Sequence, residues 1–438
     1  MSFLLPVLLV GMTVVLTGLA LTTLWWMLHA WRDLDTLEET GFVRAQDGTP
    51  QLSFSLLVPA RHEQAVLEQT LERLLQLDHS SFEVLPIIGH DDAETMAVAR
   101  AVESRHPDRV RVVVDHSWPK NKPKGLNSAL PHCRGEVVGV FDAEDEVDPR
   151  LLRVVDAAFR ADGDDPRRVD VVQGGVQLVN FRSSWFSLRN CLEYFFWFRS
   201  RLHLQQRHGF IPLGGNTVFI RTEVLREHSG YDPECLAEDC ELGVRLSVAG
   251  HRIEVCYDAH LVTREETPDT IGSLLKQRTR WNQGFLQVYR KGLWRRLPHP
   301  RQRLLARWTL CQPFLQAFTG VAVPVALVTA LLTDVPVGLA LLTWVPAVPT
   351  LLMLSFELVG LREFCRVYYV RPRLRDYVVL VLGTFPYALV LGAAALRAVW
   401  REARGQRGWE KTSHAGAHRT SAALDTAPVP TVPVGAVR

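Results

Sequence analysis

An apolar run near the start of the chain most constrains what this sequence can fold into. Residues 3–28, FLLPVLLVGMTVVLTGLALTTLWWML, carry no charged side chain. A helix of about 20 apolar residues is long enough to cross the hydrocarbon layer of a bilayer. A secretory signal peptide is the alternative, but no Lys or Arg precedes the run, which also exceeds the ~7–15 residues of a typical h-region. The run therefore predicts a membrane span.

Aromatic and basic residues at the end of this run predict its orientation. Trp25, Trp26 and Trp31 stand where an interfacial aromatic belt would lie, and Arg32 follows them. By the positive-inside rule, the N-terminus then faces outward and residue 32 onward lies in the cytosol.

Apolar runs return in the last third of the chain. Three of them have spanning length, at 315–332, 335–357 and 377–400. Residues 301–308 have the pattern of an amphipathic interfacial helix. Three spans would leave the C-terminus outside, whereas the basic residues between Arg401 and Lys411 favour the inside. Either one apolar segment is interfacial or re-entrant, or the tail departs from the rule. The sequence predicts a multi-pass protein of the cell membrane.

The region between the apolar ends alternates strand and helix patterns. Four short apolar runs are predicted as strands, at 52–59, 83–89, 109–114 and 136–142. The segments between them are predicted as helices, at 63–77, 93–105 and 123–133. Further on, 170–180 is predicted as a strand or hairpin and 184–206 as a long helix. This alternation predicts a cytosolic α/β domain with a mostly parallel, three-layer sheet.

Charge and cysteine content exclude some classes of function. The formal net charge of +2 gives no case for a nucleic-acid partner. The seven cysteines contain no Cys-x-x-Cys pair, which argues against a zinc or redox site. No Gly-x-Gly-x-x-Gly follows the first predicted strand, so a dinucleotide site is not indicated.

Acidic residues follow two of the predicted strands. Asp91 and Asp92 come after the second, and Asp142, Glu144 and Asp145 come after the fourth. A single acidic strand end is usually a turn or a helix cap. Two at the same edge of a sheet fit a shared ligand, because open α/β sheets bind ligands beyond the carboxyl ends of their strands. Asp142 and Glu144 supply the hard oxygen ligands that suit Mg²⁺ or Mn²⁺.

Two other polar segments have both a structural and a functional interpretation. Lys122 and Lys124 belong either to a solvated basic loop or to a cationic site for phosphates, and their spacing does not decide. Glu238 and Asp239 open a predicted helix, where acids usually act as caps. Asp239 could instead act as a general base toward a hydroxyl within hydrogen-bond reach.

A later predicted helix, within 269–287, groups three unlike side chains on one face. Arg280 lies three positions after Gln277, and Trp281 lies four positions after it. A guanidinium suits a diphosphate, and an indole suits the apolar face of a sugar. Taken alone, this helix is better explained by one buried Trp and a solvated Arg.

Taken together, these residues resemble the family 2 glycosyltransferases and, within them, the cellulose-synthase-like membrane enzymes. The resemblance runs from about Leu52 to Tyr289 and rests on Val58–Arg61 with Glu63, Asp91-Asp92, Lys122–Asn127, Phe141–Asp145, Gly214–Asn216, Glu238-Asp239 and Gln277–Trp281. Trp409–Thr412 with His414 also resembles the ending of a bacterial subgroup of these synthases.

The resemblance implies a GT-A fold and a nucleotide-diphosphate sugar as donor, with a UDP-sugar favoured. It implies that Asp92 contacts the base, that Asp142 and Glu144 bind Mg²⁺ or Mn²⁺, and that Asp239 is the catalytic base. Lys122, Lys124 and Glu238 join the substrate-binding residues. Gln277, Arg280 and Trp281 match a motif associated with processive synthesis. The family usually has Asp where this chain has Glu144, so we expect an altered metal preference.

The resulting expectation is an inverting transferase that extends a polysaccharide at the membrane. Transfer of one sugar to a polyprenyl-phosphate or other lipid acceptor is the alternative. Few spans are predicted, so a polymer channel would need a dimer or an accessory export protein. The expected domains are a span at 1–31, a cytosolic GT-A domain at 32–298, interfacial and membrane helices at 299–402, and a partly disordered tail at 403–438.

Overall fold

The computed structural model describes residues 4–32, 50–160, 168–332 and 336–410. Within these ranges, two parallel-rich sheets and their covering helices form the middle of the chain, and long apolar helices precede and follow them. The tail beyond residue 410, including Lys411, Thr412 and His414, lies outside the described residues.

The described strands form two sheets. They are Phe54–Ala60 (β1), Phe82–Gly89 (β2), Val113–Asp115 (β3), Val137–Val140 (β4), Val171–Gly174 (β5), Val176–Leu178 (β6), Val218–Arg221 (β7), Ile253–Cys256 (β8) and Thr263–Glu265 (β9). The larger sheet has the order β3-β2-β1-β4-β7-β5-β8, and β6 pairs with β9. Only β7 runs antiparallel to its neighbours among these strands. The predicted mostly parallel sheet is confirmed.

The described helices alternate with the strands and then continue alone. They are Leu4–Met27 (α1), His29–Arg32 (α2), Leu67–Leu74 (α3), Ala93–Arg105 (α4), Lys122–Ala129 (α5), Leu151–Arg160 (α6), Ser187–Phe196 (α7), Leu202–Arg207 (α8), Thr222–Glu227 (α9), Glu238–Ala249 (α10), Ile271–Lys291 (α11), Pro300–Leu310 (α12), Gln312–Leu332 (α13), Val337–Thr343 (α14), Ala347–Val367 (α15) and Leu374–Ala403 (α16). A π-helical turn, Trp197–Arg201, joins α7 to α8.

The sheet is apolar on both faces because helices cover both. Leu56 and Val58 of β1 pack on one side with Leu71 of α3. Leu57 of β1 packs on the other side with Leu126 of α5. Successive residues of a strand point to opposite faces, so a run of apolar residues is what a strand buried on both sides requires.

Two predicted elements differ from the structure. The segment 170–180 is not a hairpin, because β5 and β6 belong to different sheets. The change of sheet falls at Gly174 and Gly175, where a Cβ would lie 2.5 Å from Thr217 and 2.9 Å from Val262 respectively. The predicted helix at 184–206 is interrupted by the π-helical turn.

Three described helical segments are long and apolar enough to cross a membrane, Leu9–Met27, Val337–Val367 and Leu374–Ala403. The second is not one continuous helix, because the chain turns between α14 and α15 at Trp344–Pro346. α13, predicted as a further span, crosses α16 closely: a Cβ on Gly320 would lie 3.0 Å from the Cα of Gly392.

The apolar helices share their packing with the α/β region. Leu361 and Phe364 of α15 and Leu380 of α16 lie in the same buried cluster as Phe195 of α7. Ion pairs reinforce this junction: Arg182 with Asp376 at 2.7 Å, Arg189 with Glu357 at 3.0 Å and Arg199 with Glu363 at 2.7 Å. The middle of the chain and its apolar helices thus share a continuous core.

Candidate active site

Four residues from distant parts of the sequence meet beyond the end of β4. The Lys122 ammonium at the start of α5 donates to the Asp142 carboxylate and, at 2.7 Å, to the carbonyl of Gly215. A Cβ on Gly215 would lie 3.0 Å from Asp239 Oδ2 and 3.6 Å from Lys122 Nζ. Glycine at 215 therefore lets the backbone approach both charged groups. We call Lys122, Asp142, Gly215 and Asp239 the central cluster.

Side-chain amides of α5 hold Lys122 against the segment that leads to Asp239. Asn121 caps α5 by accepting from the Lys124 N–H, and its Nδ2 donates to the Pro233 carbonyl at 2.9 Å. Asn127 exchanges two hydrogen bonds with the backbone of Tyr231, at 2.7 and 2.8 Å. These contacts bring the start of α5 next to the start of α10.

Burial sets the charge states in this cluster. Burial and the neighbouring Asp239 raise the pKa of Glu238 to about 8. Burial also raises the pKa of Asp239, although the Cys240 N–H, Lys122 and Arg280 oppose the shift. Burial disfavours the Lys122 ammonium, but Asp142, Glu238 and Asp239 outweigh it and raise its pKa. Lys122 is therefore charged and Glu238 largely protonated at neutral pH, and Asp239 has the raised basicity that suits a general base.

Helix α11 lies directly against the segment before Asp239. A Cβ on Gly284 would lie 2.4 Å from the Cβ of Ala237 and 2.6 Å from its nitrogen. Arg280, one turn earlier, lowers the pKa values of both Glu238 and Asp239 by its charge. Its guanidinium stacks on Trp409, 4.5 Å from the ring centroid. Arg280 is therefore near enough to the acidic pair for its charge to act on both carboxyl groups.

Gly284→Ala tests this helix contact. The added methyl group has backbone atoms of Ala237 in its way, so α11 must shift; overpacking of this kind costs about 1–3 kcal/mol. We expect a lower melting temperature and a lower transfer rate. Gly272→Ala is the matched control on the same helix, because its Cβ would meet only Thr270 Oγ1, at 3.8 Å. Equal melting temperatures and equal transfer rates of the two variants would contradict the close contact between Gly284 and Ala237.

Trp281 is held by a network of charged and polar side chains that reaches α16. Arg278 lies over its ring, 4.8 Å from the centroid, and Tyr194 lies 6.3 Å away. Arg278 donates to Glu193 and, at 3.2 Å, to the Tyr387 hydroxyl of α16. The Tyr387 hydroxyl in turn donates to Glu193 at 2.9 Å. Trp281 is half-buried and packed, so both the structural interpretation and a role at the site fit its contacts.

A buried acidic group adjoins the central cluster. Asp145 accepts the Asp142 N–H at 2.8 Å and the Asn216 amide at 3.2 Å, and Asn216 also donates to Glu265. Burial, followed by the charges of Glu265, Asp142 and Glu144, raises the pKa of Asp145 well above its usual range. Glu265 was not among the predicted site residues, because a single Glu at the end of a short strand carries no distinctive sequence signal.

These acids have the chemistry of a site for a hard divalent cation. Their carboxylate oxygens suit Mg²⁺ or Mn²⁺, and their mutual repulsion is what such a cation would relieve. Among the described residues, however, no three Asp, Glu, His or Cys side chains already converge as a complete ligand set. Asp142 and Glu144 would hold the ion together with oxygens of a bound ligand.

Two predicted site residues lie away from the central cluster. Among the described residues, the Lys124 ammonium reaches only the carbonyls of Trp118 and Pro119, at 3.4 and 3.3 Å. Asp92 caps α4 by accepting the Thr95 N–H at 3.3 Å and also accepts the His62 N–H at 2.5 Å. Asp92 follows β2, which β1 separates from β4, so it lies along the same sheet edge. Its contact with a base stays a prediction.

The α/β region has the GT-A fold. A solved structure with the same architecture is a mannosyltransferase from Pyrobaculum calidifontis in complex with GDP-Man and Mn²⁺, with a TM-score of 0.57, 19% identity, and coverage of 90% of this chain and 99% of that one. At this identity the likeness establishes the fold.

Residues 50–284, more than half of the chain, match the model of glycosyltransferase-like family 2. The chain belongs to this family.

Named relatives differ in the acceptor that their names imply. The β-monoglucosyldiacylglycerol synthase of Synechocystis sp. is 25% identical over 394 residues, covering 84% of this chain and 76% of the relative. The synthase of the same name from Trichormus variabilis is 27% identical, over 54% of this chain and 49% of the relative. The poly-β-1,6-N-acetyl-D-glucosamine synthase of Staphylococcus epidermidis is 24% identical, over 55% and 56%. The chain thus spans about half the length of several relatives.

Proposed function

We propose that this protein is a membrane-embedded, inverting glycosyltransferase that moves a sugar from a nucleotide-diphosphate donor to a growing polysaccharide. The observation that carries the proposal is the meeting of Asp239, Lys122 and Asp142 at one sheet edge, with Arg280 beside them. A base, two cations and a carboxylate near one another are the groups that such a transfer requires.

In this proposal Asp239 accepts the proton of an acceptor hydroxyl. The acceptor oxygen then forms a bond to the anomeric carbon as the bond to the diphosphate oxygen breaks on the opposite face. Lys122 and Arg280 stabilise the negative charge on the departing diphosphate, which leaves as a nucleoside diphosphate. A divalent cation held by Asp142 and Glu144 would supply further charge stabilisation there. The raised pKa of Asp239 matches the role of base.

The proposal of a polysaccharide acceptor is based on Trp281 and on its neighbours Gln277 and Arg280. Trp281 is held by Arg278 and Tyr194, so its ring has a fixed orientation without being fully buried. A fixed, partly exposed indole is a suitable platform for a sugar ring. Gln277 Oε1 is buried without a hydrogen-bond partner among the described residues, which leaves it available to a ligand hydroxyl.

Trp281→Ala is expected to impair acceptor use more than donor hydrolysis. Loss of the indole removes the sugar platform. Stacking of a nucleic-acid base on an aromatic side chain is worth about 1–3 kcal/mol, and a loss of similar size here would raise the acceptor KM roughly ten- to a hundredfold. The measurement compares acceptor KM with the rate of donor hydrolysis in the absence of acceptor. Tyr194→Phe is a control that keeps the neighbouring ring. An equal loss of both activities would assign Trp281 a structural role.

Transfer of a single sugar to a lipid is the second candidate function. It is favoured by the glucosyldiacylglycerol synthase of Synechocystis sp., whose similarity extends over 84% of this chain and therefore beyond the α/β region. Both candidates place the catalytic edge at the cytosolic surface of the cell membrane. They differ in whether the product re-enters the acceptor site.

Product analysis distinguishes the two candidates. The full-length protein, purified in lipid, is incubated with a panel of UDP- and GDP-sugars plus Mg²⁺ or Mn²⁺, and released nucleotide is measured. The active donor is then supplied in radioactive form. A ladder of long products supports polysaccharide synthesis, and one labelled lipid species supports single transfer. Absence of nucleotide release with every donor would contradict both. If long products form, cross-linking tests whether a dimer or an accessory export protein assists.

A further inference from the structure

Arg201 lies at the junction between the first apolar helix and the α/β region. Its guanidinium is stacked between two indoles, 4.3 Å from the ring centroid of Trp26 and 4.6 Å from that of Trp197. Trp197 is four residues earlier in the same helical run, whereas Trp26 belongs to the last turn of α1. The guanidinium carbon thus lies over one ring from its own helical run and over one ring from α1.

One edge of this guanidinium has no acceptor. Nε and Nη2 are both buried, and neither has a hydrogen-bond partner in the described part of the chain. These two nitrogens form the side edge of the group, the planar fork that grips two oxygens of one phosphate or carboxylate. Burial lowers the pKa of Arg201 to about 9, and no carboxylate of the described residues pairs with it. Arg199 on the same turn differs, because it pairs with Glu363 at 2.7 Å.

The position of Arg201 coincides with the expected boundary of the bilayer. The candidate span of α1 ends at Met27, and Ser200 Oγ donates to the carbonyls of Trp26 at 2.6 Å and Met27 at 3.2 Å. The π-helical turn is therefore fixed to the end of the span. Trp25, adjacent in sequence, has 57% of its surface exposed, as expected for a side chain in contact with lipid.

A second element near this turn has the character of an interfacial helix. Gln205 Nε2, four residues after Arg201, donates to Thr309 Oγ1 of α12 at 3.4 Å. Exposed α12 residues include the basic Arg301, Arg303 and Arg307, and Leu304 is 69% exposed. A helix that exposes both basic and apolar residues suits the headgroup layer of an anionic membrane.

We propose that Arg201, held between Trp26 and Trp197, binds the phosphate of a lipid headgroup at the membrane boundary. A phosphodiester supplies the two oxygens that the Nε and Nη2 fork lacks and neutralises the unbalanced charge. The location at the end of a span favours a lipid over a soluble phosphate. The site would dock a lipid beside the α/β region, at the joint where α1 meets the π-helical turn.

The test measures lipid binding to the full-length protein in detergent, by native mass spectrometry and by titration. The probes are phosphatidylglycerol, diacylglycerol as a lipid without phosphate, and glycerol 1-phosphate as a phosphate without acyl chains. Arg201→Gln is compared with Arg207→Gln, an exposed arginine on the adjoining helix. No donor or acceptor sugar is needed, so the outcome is independent of the proposed transfer reaction.

We expect the wild type and Arg207→Gln to bind phosphatidylglycerol at one saturable site. Diacylglycerol should not bind at that site. Hydrogen bonds to charged groups are worth about 1.5–3 kcal/mol, so Arg201→Gln should bind about tenfold more weakly or worse. Equal binding by Arg201→Gln would overturn the proposal. Displacement by glycerol 1-phosphate at equal concentration would overturn the lipid assignment. If Arg201→Gln does not fold, the wild type still decides, because a wild type without a saturable phosphatidylglycerol site contradicts the proposal.

Discussion

Asp239→Asn is expected to lower the rate of sugar transfer by about 10²–10⁴-fold, the usual contribution of general-base catalysis. The asparagine keeps the shape of the side chain but cannot accept the acceptor's proton. Donor binding should be retained, because Lys122, Arg280 and Asp142 remain. The measurements are single-turnover transfer rates and donor affinity. A variant with the wild-type rate would show that another group is the base.

The pH dependence of the transfer rate is a second test of Asp239 as the general base. The pKa of Asp239 is raised in the folded protein, so wild-type activity should rise as the pH increases through that pKa. This limb of the profile should vanish in Asp239→Asn. A carboxyl with a raised folded-state pKa favours folding at low pH and loses that contribution as the pH rises, so the amide should not reduce stability near pH 8. Glu234→Gln, an exposed acid a few residues earlier, is the matched control and should leave both unchanged.

Lys122→Met is expected to lower the transfer rate by about 10²-fold or more, as removal of one preorganised charge donor does in other sites. Lys122 bonds Asp142 and the Gly215 carbonyl, and its charge also acts on Asp239. Because its folded-state pKa is raised, Lys122 contributes stability throughout the neutral range. Its removal should therefore also lower the melting temperature.

Lys124→Met is the matched control for this variant. The two lysines lie two residues apart, but in the described part of the chain the Lys124 ammonium contacts only backbone carbonyls of the preceding loop. Its substitution should change the transfer rate by a small factor. If both variants lose activity equally, Lys124 also reaches the diphosphate when the donor is bound. If only Lys124→Met is impaired, the arrangement of the central cluster is wrong.

The contrast between these lysines shows what sequence reasoning could and could not predict. The strand and helix patterns predicted the sheet, because apolar runs and acidic strand ends follow from burial and topology. They could not distinguish Lys122 from Lys124, because that depends on the direction in which each side chain leaves the first turn of α5. The hydrogen bonds of Asn121 and Asn127 that fix this direction join segments about a hundred residues apart in sequence.

The acidic residues likewise include some that could be predicted from the sequence and some that could not. A common site for Asp142 and Asp239 was implied by the family resemblance and not by the strand and helix patterns, and in the structure both lie beside Lys122 and Gly215. Asp92 has the cap geometry that its position before α4 also allowed. Glu265 joins the acidic group through the Asn216 amide. Such a pairing between two sheets leaves no pattern in a single sequence.

Helix α11 belongs to two parts of the molecule at once. One side of it meets Ala237, just before Asp239, and another meets α16, where Leu274 packs on Tyr387 and the Thr279 hydroxyl donates to the Ala394 carbonyl at 3.4 Å. A fragment ending at residue 298 would lack α16. The side of α11 that packs on α16 would then be exposed, and the helix that carries Arg280 would lose these contacts. In the proposed membrane-embedded arrangement, changes in bilayer thickness or lateral pressure that tilt α16 would also displace α11 and the Arg280 side chain that it carries.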